Sequence, residues 1–177
     1  MEAKDLTMAR VYVGTYKKYV NGSIGGKWLN LADYANRGEF VKACAKAHGD
    51  ERNPEFMFQD WENIPERLIE ECFIPERLFD AIGAAANMTE CEREAFFVWL
   101  ENFADTSSAS DAEELAEDFR SALQGIYTSE EDFAVEVVEA CHELSEFAEM
   151  YFDYAAFARD LFICEYRWVA PFVFRAC

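Results

Sequence analysis

Between Ser129 and Asp153 the chain carries nine carboxylates and not one Lys or Arg. They are Glu130, Glu131, Asp132, Glu136, Glu139, Glu143, Glu146, Glu149 and Asp153. At about 100° per helical residue, Asp132, Glu136, Glu139, Glu143 and Glu146 fall within an arc of about 80°. Phe133, Val137, Ala140, Leu144, Phe147 and Tyr151 fall in a neighbouring arc. The spacing therefore predicts helix with an acid ridge beside an apolar ridge, Ser145 and the Phe152–Asp153 step being candidate breaks. Solvated helix faces usually mix signs. Here 132/136, 136/139, 139/143, 143/146 and 146/149 are like-charge neighbours, each costing roughly 0.2–0.5 kcal/mol and together about 1–2 kcal/mol.

The imbalance extends beyond this run. The chain of 177 residues holds 35 acids and 16 bases, a net charge of −19. Residues 1–50 carry eight bases and five acids, whereas residues 101–153 carry sixteen acids and one base, Arg120. The preceding segment repeats the pattern with Asp111, Glu113, Glu114, Glu117 and Asp118. With 16 Phe and 8 Tyr the chain is not a disordered acidic tail. Its field opposes direct binding to nucleic acid or to an anionic membrane, and favours a basic partner.

Nothing points to catalysis or to a cofactor. The six cysteines form no C-x-x-C pair and the two histidines are far apart, so no zinc site is expected. Buried or free thiols in a reducing cytosol are the expectation. The pattern D-x-[DN]-x-[DN]-G of a calcium loop is missing. Asp60 and Glu62 in "QDWENIP" lack a nearby His, Cys or Ser partner and read as loop residues capping backbone groups. "NGSIGGKW" lacks phosphate-loop spacing and reads as a hairpin turn. His48 sits near a predicted helix end, where a cation is favourable. His142 lies among carboxylates that favour its charged form. No signal peptide or bilayer-spanning run is expected.

Strands are predicted over Ala9–Tyr16, Ile24–Asn30 and Glu55–Gln59 from alternating β-branched and aromatic residues. A helix is predicted from Asp33, as N-cap, to His48. Pro75 opens a second helix, and Thr89 with Glu92 makes a capping box for a third. A helix over Ala112–Leu123 is stopped by Gly125. Ser129 with Asp132 caps the acidic run, and Asp153 caps a last helix before a C-terminal hairpin turning near Pro171. The fold class is α+β, with small antiparallel sheets at the two ends of the chain and a helical middle. The expected lobes are 1–64, 65–107 and 108–177.

Carboxylates three to four residues apart on a helix recur every ~4.5–6 Å, and a DNA strand presents a phosphate every ~3.4 Å. An unbroken helix over Ser129–Asp153 would be about 37 Å long, roughly one duplex turn. A groove lined by Lys and Arg for DNA would meet a similar field here.

Four segments in order resemble the ArdA antirestriction proteins of conjugative plasmids and transposons. They are "VYVGTYKKYVNGSIGGKWLNL", "PEFMFQDWENIP", "YTSEEDFAVE" (Tyr127–Glu136) and "YFDYAAFARDLF" (Tyr151–Phe162). The resemblance implies an elongated, three-lobed, dimeric DNA mimic in the bacterial cytoplasm. It implies occupation of the DNA groove of type I restriction-modification enzymes, at the methyltransferase core, and no enzymatic activity or cofactor. The family's antirestriction motif maps onto about Phe133–Phe147 and is associated with the dimer contact. Phe133, Val137, Leu144 and Phe147 would then serve the core, the dimer or both, and the acids named above would face the partner. The alternative is an acidic adaptor or chaperone for another basic nucleic-acid-binding protein.

Overall fold

A computed structural model of the protein describes residues 4–103, 111–141 and 144–176. The alternating N-terminal segment forms β1 (Arg10–Thr15), which pairs antiparallel with β2 (Lys27–Asn30) and with β3 (Phe56–Glu62) in the order β2-β1-β3. The β1–β2 connection is more than a turn. Thr15 accepts a hydrogen bond from the backbone of Lys18 and caps a short helix, α1 (Tyr16–Val20). The third strand runs three residues past its expected end at Gln59, because Asp60, Trp61 and Glu62 stay in register with Tyr12, Val11 and Arg10. Asp60 and Glu62 are therefore strand residues and not a capping loop.

The next helix, α2 (Arg37–Ala47), starts later than expected. Asn36 is its N-cap, accepting from Glu39 N at 3.0 Å, while the Glu39 side chain accepts from Ala35 N at 3.0 Å. Asp33 lies instead in a 3-10 turn, Leu31–Asp33. Pro75 directly precedes α3 (Glu76–Ala85), and the Thr89/Glu92 capping box opens α4 (Glu90–Asn102) as expected. Phe40 of α2 joins the layers, packing 5.9 Å from Phe58 of β3 and 5.8 Å from Phe79 of α3. Val11, Val13, Leu78, Phe96 and Leu100 complete this core.

The helix α5 (Ala112–Ala122) runs directly into a strand that the sequence reading missed, β4 (Leu123–Ile126). Gly125, expected as a helix stop, sits in that strand at φ +150°, where the register shifts. A Cβ at Gly125 would meet the Tyr127 ring at 2.9 Å, so the position needs glycine. The acidic run forms α6 (Glu130–Cys141) and α7 (Glu146–Met150), followed by α8 (Tyr154–Cys164). A hairpin, β5 (Tyr166–Val169) and β6 (Phe172–Arg175), closes the chain, with Pro171 at its turn. The second sheet has the order β4-β6-β5 and is antiparallel. Thus a small antiparallel sheet forms near each end of the sequence, with helices between, an α+β fold.

The chain divides into two compact units, Met1–Glu117 and Asp118–Cys177, the division falling within α5. In the second unit α6 packs on α8, and Phe133, Ala134, Val138, Ala158, Phe172, Val173 and Phe174 are buried. Among the described residues no helix is long and apolar enough to cross a membrane. The described cysteines form no disulfide; Cys44 is buried, which pushes its thiol up to about 12, and Cys72, Cys91, Cys141 and Cys164 are exposed.

Candidate functional site

The run Ser129–Asp153 does not form one helix. Ser145 accepts from Ala148 N and starts α7, and Asp153 accepts from Ala156 N at 2.9 Å and starts α8. The break removes the 37 Å rod. Its longest piece, α6, is about 18 Å at 1.5 Å per residue. It also changes the energetics. Each new helix start supplies unpaired N–H groups and the positive end of a dipole. Glu130, Glu131 and Asp132 occupy the first turn of α6, Glu146 and Glu149 that of α7, and Glu113 and Glu114 that of α5. These acids are favourable where they stand, typically by 0.3–1 kcal/mol at about this exposure. Of the five like-charge pairs of the run Ser129–Asp153, three remain within described helices, 132/136, 136/139 and 146/149, an opposing cost of about 1 kcal/mol.

Several acids do local work. Asp111 accepts from the backbones of Glu113 and Glu114, both at 3.0 Å. Asp132 accepts from the Thr128 hydroxyl, and its own N–H donates to Ser129. Burial, and then a hydrogen bond to Glu136, raise the Tyr127 phenol above its ordinary range, so Tyr127 stays a donor to that carboxylate. Glu117, Asp118, Glu131, Glu139, Glu146 and Glu149 are exposed and make no side-chain hydrogen bond or ion pair among the described residues. Glu113, Glu114, Asp132, Glu136 and Asp153 are also exposed, and Glu130 is half-buried. Glu143 and His142 lie outside the described residues.

The apolar ridge divides as well. Phe133 is 4% exposed, within 5.0 Å of the Tyr127 ring and 4.7 Å of the Tyr166 ring, with Phe162 at 5.6 Å. It belongs to the core. Val137 and Leu144 are half-buried. Phe147 is 73% exposed and stands 5.0 Å from Tyr151, beside Met150, on the surface. Ala140, placed on the apolar ridge, is exposed too.

A family model described as antirestriction protein (ArdA) matches residues 11–170. The chain belongs to the ArdA antirestriction family. Comparison with curated proteins gave no match.

ArdA proteins are inhibitors, and the surface features of this member suit a binding role. Among its described residues no group of three or more His, Cys, Asp or Glu is placed to hold a metal ion. In this ArdA chain His48 stands at a helix end, as the C-cap of α2, and is buried there. It is 2% exposed, with Nε2 3.0 Å from the Val13 carbonyl and Nδ1 3.0 Å from Lys18 Nζ. A carbonyl only accepts, so Nε2 is the donor to Val13 O and ties the ring to β1. The sequence reading missed Met150 as a companion of Phe147. Its signal was present: after a break at Ser145, a five-residue helix of this kind has no room for a buried face of its own.

Proposed function

We propose that the chain inhibits type I restriction-modification enzymes as an acidic mimic of DNA, occupying the DNA groove of the methyltransferase core. The observation that carries this reading is the set of exposed carboxylates on α5, α6 and α7 that form no ion pair among the described residues. A Lys- or Arg-lined groove would replace hydrated counterions around these acids, as it does around phosphates. Because affinity is spread over many exposed charges, no single acid dominates. The chain acts as a homodimer, and the exposed Phe147, Met150 and Tyr151 cluster supplies part of its contact while Phe133 stays in the protomer core. Its place of action is the cytoplasm of a bacterial host.

The test is competition for a type I methyltransferase core between labelled duplex and the protein, repeated over a salt series. The reading expects displacement of the duplex, weakening as salt rises. A methyltransferase–DNA complex left intact by excess protein at low salt would contradict it for that enzyme. Analytical ultracentrifugation of Phe147→Asp tests the dimer, which should dissociate with the fold retained.

A further inference from the structure

The first unit holds a cavity that the acidic helices do not account for. It has a volume of about 570 Å³ and is lined by Tyr12, Tyr19, Ile24, Met57, Phe58, Gln59, Asp60, Trp61 and Glu71. Its chemistry is specific: aromatic rings, two carboxylates and no Lys or Arg in the lining. The Tyr12 ring is fixed from both sides, since its hydroxyl donates to Ile24 O at 3.1 Å and accepts from Gly26 N at 2.9 Å. Asp60 accepts from its neighbour's backbone, Trp61 N, at 2.8 Å, and makes no ion pair among the described residues. Among the described residues the Glu71 side chain accepts from a phenol, Tyr16, at 3.1 Å, and makes no ion pair. Gln59 adds a buried Oε1 with no hydrogen-bond partner among the described residues.

The same sheet shows what such surroundings hold. Arg10, Tyr12, Trp28, Asp60 and Glu62 share one face through the pairs Arg10↔Glu62, Tyr12↔Asp60 and Tyr12↔Trp28. There the Arg10 guanidinium lies 4.7 Å from the Trp28 ring centre and gives two hydrogen bonds to Glu62, at 2.7 and 2.9 Å. Stacking on an aromatic face combined with a carboxylate fork is the arrangement a planar guanidinium favours. One step along β3, the cavity offers aromatic rings and the Asp60 carboxylate, which Arg10 reaches only through space and not by an ion pair, and no Lys or Arg lines it.

We propose that this cavity is a binding site for an arginine side chain presented by a protein partner, with the guanidinium against the Tyr12 and Tyr19 rings, near Trp61 in the lining, and its donors directed to Asp60 and Glu71. The occupant is cationic because the lining supplies acceptors. It is a guanidinium because the walls supply flat rings. The site uses none of the acids on α6 and α7, and its test does not depend on DNA mimicry.

Nuclear magnetic resonance of the full chain reads the site directly through the Trp61 indole, assigned with Trp61→Phe. The probes are N-acetyl-arginine methylamide, the citrulline analogue as a neutral isostere, and a Gly-Ser peptide bearing one central Arg. The expected result is a saturable shift of the Trp61 indole with the arginine amide and the peptide, and none with citrulline. Asp60→Asn and Glu71→Gln, which preserve shape and the bonds from Trp61 N and Tyr16, should each weaken the arginine response about tenfold. Glu113→Gln, equal in charge removed but on α5, should leave it unchanged. An equal response to citrulline, no response to arginine, or equal weakening by Glu113→Gln would overturn the proposal. A response to the amide but not to the peptide would assign the cavity to a small free cation and overturn the protein partner.

Discussion

In the unit Met1–Glu117, bases are placed against acids: Arg10 against Glu62, Arg93 against Asp5, Lys18 against Asp50 and Glu51, and Lys4 against Glu101. In the unit Asp118–Cys177 no ion pair forms among the described residues, although Arg120, Arg159, Arg167 and Arg175 are present. Arg167 turns to the carbonyls of Phe162 and Tyr166 at 3.3 and 2.9 Å and leaves the carboxylates alone. The lack of pairing is therefore not simply a lack of cations. The second unit manages its acids by placing them at helix starts, where dipoles and free N–H groups offset repulsion without neutralising charge. A helix start stabilises the protein and leaves the carboxylate's outward field for a partner. A salt bridge would remove that field.

The largest test of this contrast concerns the two halves of the apolar ridge. Phe133→Ala should cost about 3–5 kcal/mol of stability, as for a buried aromatic. Phe147→Ala should change unfolding of the dilute protein by no more than about 0.5 kcal/mol. Urea unfolding of both variants measures this, and a large loss at Phe147 would show α7 to be packed. A middle-sized effect distinguishes the bases. Arg93→Ala removes a half-buried pair at 2.9 Å and a bond to Met88 O at 3.1 Å. It should cost about 1–2 kcal/mol, whereas Arg120→Ala should stay within about 0.5 kcal/mol; thermal unfolding checks both.

Smaller changes separate acids of one type by position. Asp153→Ala removes the α8 cap and should lose about 1 kcal/mol. Glu139→Gln relieves a like-charge neighbour and should gain a few tenths of a kcal/mol. Opposite signs in chemical unfolding are the expected outcome. The smallest effect is a pH dependence in the first unit. The Asp80 carboxyl is raised above its ordinary range by burial, and then by Glu76 and Asp111. The native state thus holds this proton more tightly than the unfolded chain. Ionised Asp80 opposes folding as pH rises above the ordinary Asp value of about 3.9 and through the raised one. Asp80→Asn should stabilise the protein at neutral pH, with the advantage fading in acid. Unfolding curves from pH 3 to 7, about the span of that titration, decide it.

Much of the fold was legible because its signals are local. Thr89 with Glu92, Ser129 with Asp132, Asp153 and Pro75 mark helix starts by side-chain chemistry that needs no tertiary context. β4 was not legible: Leu123–Ile126 continues a helical pattern and becomes a strand only because β6 pairs with it, a contact distant in sequence. The end of β3 was missed for the same reason, since Glu62 is held by Arg10. The candidate acids were read directly, for charge is a property of composition. The periodicity of the run, however, suggested one rod, and the helix break at Ser145 outweighs it. Ridge continuity was thus the unreliable inference, and acid exposure the reliable one.

Under the proposed function, the unpaired acids of α6 and α7, and not bulk negative charge, compete with DNA. The direct measurement compares two quadruple variants of equal net charge in displacing duplex from a type I methyltransferase core over a salt series. One carries Glu131, Glu139, Glu146 and Glu149 as Gln; the other carries the exposed first-unit acids Glu66, Glu70, Glu90 and Glu94 as Gln. The first variant should bind at least about tenfold more weakly with a flatter salt dependence, and the second should stay close to the parent. Equal weakening of the two, or a first variant that competes like the parent, would contradict it.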